Sequence, residues 1–191
     1  MAFAETFVAN LIPQIVLVGM AVALALLVLF ILTFTAARTS IASIHDFVKP
    51  YGLLVGFVVA LTATAGSLFY SQVLGYTPCP LCWYQRILMY PLVILFGVAI
   101  VLRARDVYKY ALSLAVPGFF LAVYHYIVQV YQLTTACIAP GGREVEAAQC
   151  SMRFIFDFGF MSIPFMAAVA FLVITLAALL ALRKDVSRRD R

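Results

Sequence analysis

The chain has 191 residues, 65% hydrophobic and 11% charged, with a formal net charge of +5. An apolar share so far above the roughly 45 to 50% of soluble domains excludes a water-soluble fold. Stretches of about 20 apolar residues recur instead, the length that crosses a hydrocarbon layer about 30 Å thick.

In chain order, apolar spans are predicted at 14–37, 51–74, 83–102, 110–132 and 161–182. The runs are continuous rather than alternating, and a segment in lipid has to satisfy its own backbone hydrogen bonds, so all five are read as helices. No Lys or Arg precedes the first, and its apolar run exceeds the roughly 7 to 15 residues of a secretory h-region, so it reads as a transmembrane helix. An odd number of spans puts the termini on opposite sides.

Charge orients them, because short cytoplasmic connections accumulate Lys and Arg. Arg38, Lys49, Arg103, Arg105, Lys109, Arg183, Lys184, Arg188, Arg189 and Arg191 fall on one side, against Arg86, Arg143 and Arg153 on the other, a split of 10 to 3. The first side is expected to face the cytoplasm, with the C-terminus, and the N-terminus to lie outside. Topology then accounts for the net charge without a nucleic-acid partner, and the basic tail reads as a solvated segment near anionic lipid.

In this topology the turn at 75–82 and the loop at 133–160 lie outside, and they hold all four cysteines: Cys79 and Cys82 in the turn, Cys137 and Cys150 in the loop. Disulfides persist outside the reducing cytoplasm, so the loop pair by itself fits a structural clamp. The turn pair is different. Cys79-Pro80-Leu81-Cys82 has the spacing of dithiols that cycle between redox states, and a bridge over so short a loop restrains little chain. Cys82 is expected at the start of the third helix, where unpaired amides and the dipole favour a thiolate; it is read as the sulfur that donates electrons toward the membrane.

Arg86 follows one helical turn deeper, on the face of Cys82. A cation inside a span costs about 2.5 to 3.5 kcal/mol at the centre on insertion scales and marks a functional position unless it snorkels to the headgroups. His125 lies 7 residues from the outer end of the fourth span, a depth of about 10 Å at 1.5 Å per residue and similar to that of Arg86. His125 alone also fits a structural bond between helices. Together they suggest a pocket for a small polar head whose tail stays in lipid, and a quinone ring fits that description. Making a disulfide from a dithiol releases two electrons and two protons, and a quinone accepts both. Arg86 would stabilise the reduced oxygen, and His125 would hydrogen-bond or relay protons. No metal site is expected: zinc ribbons repeat C-x-x-C in both halves, whereas 12 residues separate Cys137 from Cys150.

Three stretches resemble the DsbB family of membrane disulfide oxidoreductases, including its BdbC-type members. They are Pro78-Cys79-Pro80-Leu81-Cys82-Trp83-Tyr84-Gln85-Arg86, then Tyr124-His125 ahead of Cys137, and Cys150 followed by Phe158-Gly159-Phe160-Met161-Ser162-Ile163-Pro164. The resemblance implies an all-α membrane protein of the prokaryotic cytoplasmic membrane. Its four-helix transmembrane bundle would occupy 51–182, preceded at 1–50 by an additional N-terminal helix that the family pattern does not account for, and followed by a basic tail at 183–191. It implies oxidation of a soluble DsbA-like thioredoxin-fold partner and reduction of a ubiquinone- or menaquinone-type quinone. By this resemblance Cys137 forms the mixed disulfide with the partner, Cys150 resolves it and exchanges with Cys79, and Cys82 donates to the quinone near Arg86 and His125. Pro140-Gly141-Gly142 offers the pliable stretch that such exchange needs.

Two other readings compete. In a non-enzymatic scaffold the disulfides would only brace the external loops. Vitamin K epoxide reductase-like proteins also join loop cysteines to quinone chemistry, but they place the loop pair before the C-x-x-C, the reverse of the order here. Phe154, Ile155, Phe156, Phe158 and Phe160 are expected to anchor the loop at the lipid surface, with Trp83, Tyr84, Tyr76, Tyr126 and Tyr131 as interfacial aromatics.

Overall fold

The computed structural model describes residues 2–35, 51–104, 106–133, 150–156 and 158–189. Cys137, the Pro140-Gly141-Gly142 stretch, Arg143 and the cytoplasm-assigned Arg38, Lys49, Arg105 and Arg191 lie outside the described residues.

Among the described residues the regular structure is helical, and five helices are long and apolar enough to cross a membrane. They are α1 (Ala2–Thr35), α2 (Gly52–Leu68, prolonged by a π turn at Phe69–Val73), α3 (Pro80–Leu102), α4 (Val107–Val130) and α5 (Ile163–Arg189). The last four form a bundle in which α2 packs on α3, α3 on α4, α4 on α5 and α5 back on α2, while α1 lies outside the ring, mainly against α5. A four-helix bundle with an additional N-terminal helix is the architecture expected from the sequence.

Lipid gives apolar side chains no reason to prefer a neighbouring helix, so close backbone approach and shape have to hold such a bundle together. Small residues provide that approach. Ala60, Ala111, Ala115 and Ala122 are fully buried. A Cβ on Gly56 would stand 2.7 Å from the Phe96 ring, and one on Gly118 only 2.4 Å from the Phe171 ring, so each glycine is the socket for a buried phenylalanine of the facing helix.

The third helix begins at Pro80, three residues before the predicted start at 83. Proline fits the first helical position because its missing N–H has no partner to lose there. Cys79 then becomes the N-cap, its Sγ accepting the Cys82 N–H at 3.4 Å. Ahead of it, the π turn and Gly75, at φ +70°, lead the chain from α2 back toward Pro78.

Candidate active site

Because Cys79 caps α3 and Cys82 is the third residue within it, the two sulfurs face each other across the first turn at 3.1 Å. Both are free thiols, and Cys79 is 2% exposed. His125, 1% exposed on α4, reaches Cys79 Sγ with Nε2 at 3.6 Å. Its Nδ1 meets Gln85 Nε2 at 2.9 Å. With the Gln85 amide donating, Nδ1 is the acceptor and Nε2 carries the proton, which points at Cys79 Sγ and at the Cys150 carbonyl oxygen 3.3 Å away.

The Cys79 thiol, just ahead of the membrane-spanning segment, is held well below the usual thiol range, at about 5. The hydrogen bond from Cys82 is the main cause; burial opposes it, and His125 lowers it further by hydrogen bonding. The sequence reading assigned the thiolate-favouring position to Cys82. The N-cap falls on Cys79 instead, because Pro80 starts the helix earlier.

Cys150 is disulfide-bonded and fully buried, in one apolar cluster with Cys79, Leu81 and Val128. The chain after it is fastened to the end of α4. Gln129 Nε2 donates to the Met152 carbonyl at 3.0 Å, and Gln132 Nε2 to that of Ser151 at 3.1 Å. Arg153 donates to the Gln129 carbonyl at 2.9 and 3.0 Å and to that of Val130 at 3.0 Å. These carbonyls belong to the last turn of α4, where acceptors lack helical partners and a cation is favoured.

The other face of α3 borders a cavity of about 790 Å³ between α1, α2 and α5, lined almost wholly by apolar groups. Cys82, Gln85 and Arg86 form its polar end, beside Tyr70, Tyr76 and Phe154. Tyr76 stacks between Tyr70 and Phe154, with centroids 6.0 and 5.0 Å away. Phe154 and Tyr76, read from sequence as interfacial anchors, are thus also cavity walls. Arg86, 9% exposed, donates from Nε to Ser67 Oγ at 3.0 Å and from Nη2 to the Ser67 carbonyl at 3.1 Å, and lies 5.2 Å from the centre of the Trp83 ring. It does not snorkel. It is tied to α2, and Tyr90 Oη donates to the same Ser67 Oγ at 3.4 Å.

The structure therefore brings Cys79, Cys82, His125 and Cys150 together, and sets Arg86 on the cavity side with Cys82. His125 is not among the residues lining the cavity; it stands behind α3, against Cys79. Gln85, Ser67 and Arg153 were missed as partners. Gln85 carried a weak signal, three residues after Cys82, whereas Ser67 carried none.

Among the described residues, Cys79, Cys82 and His125 offer three potential metal ligands. Two thiolates on a tetrahedral zinc, at about 2.3 Å each, would stand about 3.8 Å apart. The observed 3.1 Å is tighter, and suits a dithiol that closes on itself.

Comparison with known proteins agrees with this chemistry. The family model described as "Disulfide bond formation protein DsbB" matches residues 49–181. The chain belongs to the DsbB family. It is a membrane oxidoreductase of disulfide bond formation. It is 46% identical over 140 residues to a "Probable disulfide formation protein" of Oceanobacillus iheyensis, covering 70% of this chain and 90% of that one. It is 43% identical over 122 residues to "Disulfide bond formation protein C" of Bacillus subtilis, covering 64% and 86%. A "Probable disulfide formation protein" of Coxiella burnetii is 38% identical over 138 residues, covering 70% and 88%. No solved structure matches. The DsbB match begins after α1, which lies outside it.

Proposed function

We propose that this DsbB-family protein oxidises the dithiol of an extracytoplasmic thioredoxin-like protein and passes the electrons through Cys79 and Cys82 to a membrane quinone. The observation that carries the reading is the position of α3's first turn: its dithiol has Cys79 among the buried thiol-exchange groups and Cys82 at the polar end of an apolar cavity, beside Arg86. The cysteine loops face outward in this reading and the C-terminus faces the cytoplasm, as the distribution of Lys and Arg favours.

The steps balance. A partner thiolate attacks the loop disulfide at Cys137, and Cys150 leaves as a thiolate. Cys150 then attacks Cys79 of the oxidised turn, forming a Cys79–Cys150 bond and releasing Cys82. The partner's second thiol closes the partner's disulfide and frees Cys137, which closes on Cys150 and releases Cys79. The turn dithiol so formed is reoxidised when one S–S bond forms and two electrons and two protons leave it. His125 Nε2–H, aimed at Cys79 Sγ, stabilises that sulfur as a leaving thiolate, and Gln85 holds the imidazole in the tautomer that can do so.

A quinone supplies a two-electron, two-proton acceptor. The cavity suits one: its walls are apolar, as an isoprenoid tail requires, and its polar end presents the Arg86 guanidinium beside the Cys82 sulfur. Arg86, already oriented by two bonds to Ser67, would favour negative charge on a ring oxygen without reorganising.

Anaerobic quinone reduction by purified protein, with a reduced thioredoxin-like protein as donor, tests this. Wild type should turn over and Cys82→Ser should not, although Cys82→Ser should still exchange disulfides at Cys79. Absence of turnover in folded wild type with several donors and quinones would overturn the reading.

A further inference from the structure

The helix that the DsbB match leaves out is a wall of the cavity. Ile12, Val16, Gly19 and Val22 of α1 recur at intervals of three and four residues, so they form one stripe, and all four line the cavity opposite α2. The stripe is held there by α5: a Cβ on Gly19 would meet Val169 of α5 at 3.5 Å, ordinary contact distance, and Ala23 one turn further is 5% exposed. With α1 and α2 both leaning on α5, the space between them becomes a slot floored by residues such as Met166, Ala170 and Val173.

The slot is long. Its α2 wall runs from Leu54 to Ser71, which at 1.5 Å per residue is about 25 Å, most of the thickness of a hydrocarbon layer. Its charged and amide groups, Arg86 and Gln85, stand at one end with Cys82, while Thr62 adds a hydroxyl midway along the α2 wall. Such a shape suits an amphiphile with a compact polar head and a long apolar tail aligned with the helices.

We propose that α1 is a tail-binding helix: together with α2 and α5 it encloses the isoprenoid chain of the quinone whose ring lies at Cys82 and Arg86. This rests on the quinone reading above and adds a specificity element to it. The bundle of α2 to α5 supplies the dithiol and Arg86, whereas α1 adds affinity that grows with tail length. Lipid solvates an isoprenoid chain too, so the gain comes from shape: a slot closed by α1 keeps the tail in packing contact along its length, and discrimination between short and long tails follows from how much of the chain α1 covers.

The test uses full-length protein in detergent. Binding of a quinone with one isoprene unit and of one with many is measured by equilibrium dialysis, in wild type and in Val16→Trp and Val22→Trp, which fill the slot from the α1 side. The expected result is a loss of at least about tenfold in affinity for the long-tailed quinone, the weight of about ten lost carbon–carbon contacts, with the short-tailed quinone changed by less than about twofold. Equal change for both quinones, or none for either, would overturn the role of α1 and leave the quinone reading standing. Failure of wild type to bind either quinone would remove the quinone reading itself. A second measurement avoids substitution: a quinone with a photoactivated diazirine at its tail should label wild-type α1 between residues 11 and 28, and unlabelled quinone should suppress the labelling. Labelling confined to α2 and α5, or labelling of α1 suppressed only by excess phospholipid, would assign the slot to ordinary lipid and overturn the proposal.

Discussion

The two sides of α3's first two turns are built from different materials. On one side Cys79 meets His125, which also reaches the Cys150 carbonyl, in a buried, closely hydrogen-bonded cluster; on the other, Cys82 and Arg86 border an apolar slot. The sulfurs are 3.1 Å apart, yet one has protein for surroundings and the other has space. A short ring of this kind stabilises the fold little. In the proposed relay its value is positional, because closing or opening it would move electrons from one side of the helix to the other.

Changes confined to one side should leave the other side working. The largest effect is expected from Arg86→Ala, which should slow quinone reduction by about 100-fold, the usual weight of a lost charge-stabilising donor. Alkylation of Cys79 in the same variant should be unaffected, and parallel loss of both activities would show that the sides are not separable.

His125→Ala reverses the test. Cys79 loses a hydrogen bond, so its pKa rises from about 5 toward the ordinary value. Wild-type Cys79, followed by residue-resolved mass spectrometry after iodoacetamide, should react at nearly constant rate from pH 8 to pH 6 and slow about tenfold per unit only below its pKa, because the thiolate is the nucleophile. In His125→Ala the decline should begin at higher pH, with quinone affinity unchanged.

Gln85→Leu removes the donor to Nδ1 and frees the tautomer; a smaller loss is expected, about three- to tenfold in exchange at Cys79, within the range for a group that orients a catalytic histidine. Gln85→Glu sharpens it: a carboxylate accepts from Nδ1–H and favours the doubly protonated imidazole, so the exchange rate should acquire a pH dependence between about pH 6 and pH 8, where wild type is flat. Smallest is Ser67→Ala. Arg86 keeps its bond to the Ser67 carbonyl, so quinone reduction should fall only about two- to threefold, the effect of one ordinary hydrogen bond.

The helices were legible because lipid requires continuous apolar runs, and every predicted span overlaps an observed helix. The third boundary moved because Pro80 tolerates the first helical position, a local preference that a hydropathy window does not register. Cys82 and Arg86 could be placed on one face from their spacing, since both belong to a single helix. Which helices would meet that face could not: the Ser67 clamp on Arg86, the wall formed by α1 and the inward turn of Phe154 all depend on packing between segments distant in the chain. His125 was singled out as a polar group in a span, but its partners, Cys79 and Gln85, follow only from the rotation of α4 against α3.

The fastening of Ser151, Met152 and Arg153 to the end of α4 has a kinematic consequence for Cys150. The sulfur sits one residue from an anchor and already shares a cluster with Cys79, so it has no need to travel between donor and acceptor. In the proposed relay it would act as a fixed post, and the sulfurs exchanging with it would have to arrive there by rotating a side chain or bringing in another stretch of backbone. Arg153 would thereby limit how far the proposed relay can stray, and loosening it should scatter exchange onto wrong pairings before it slows the right one.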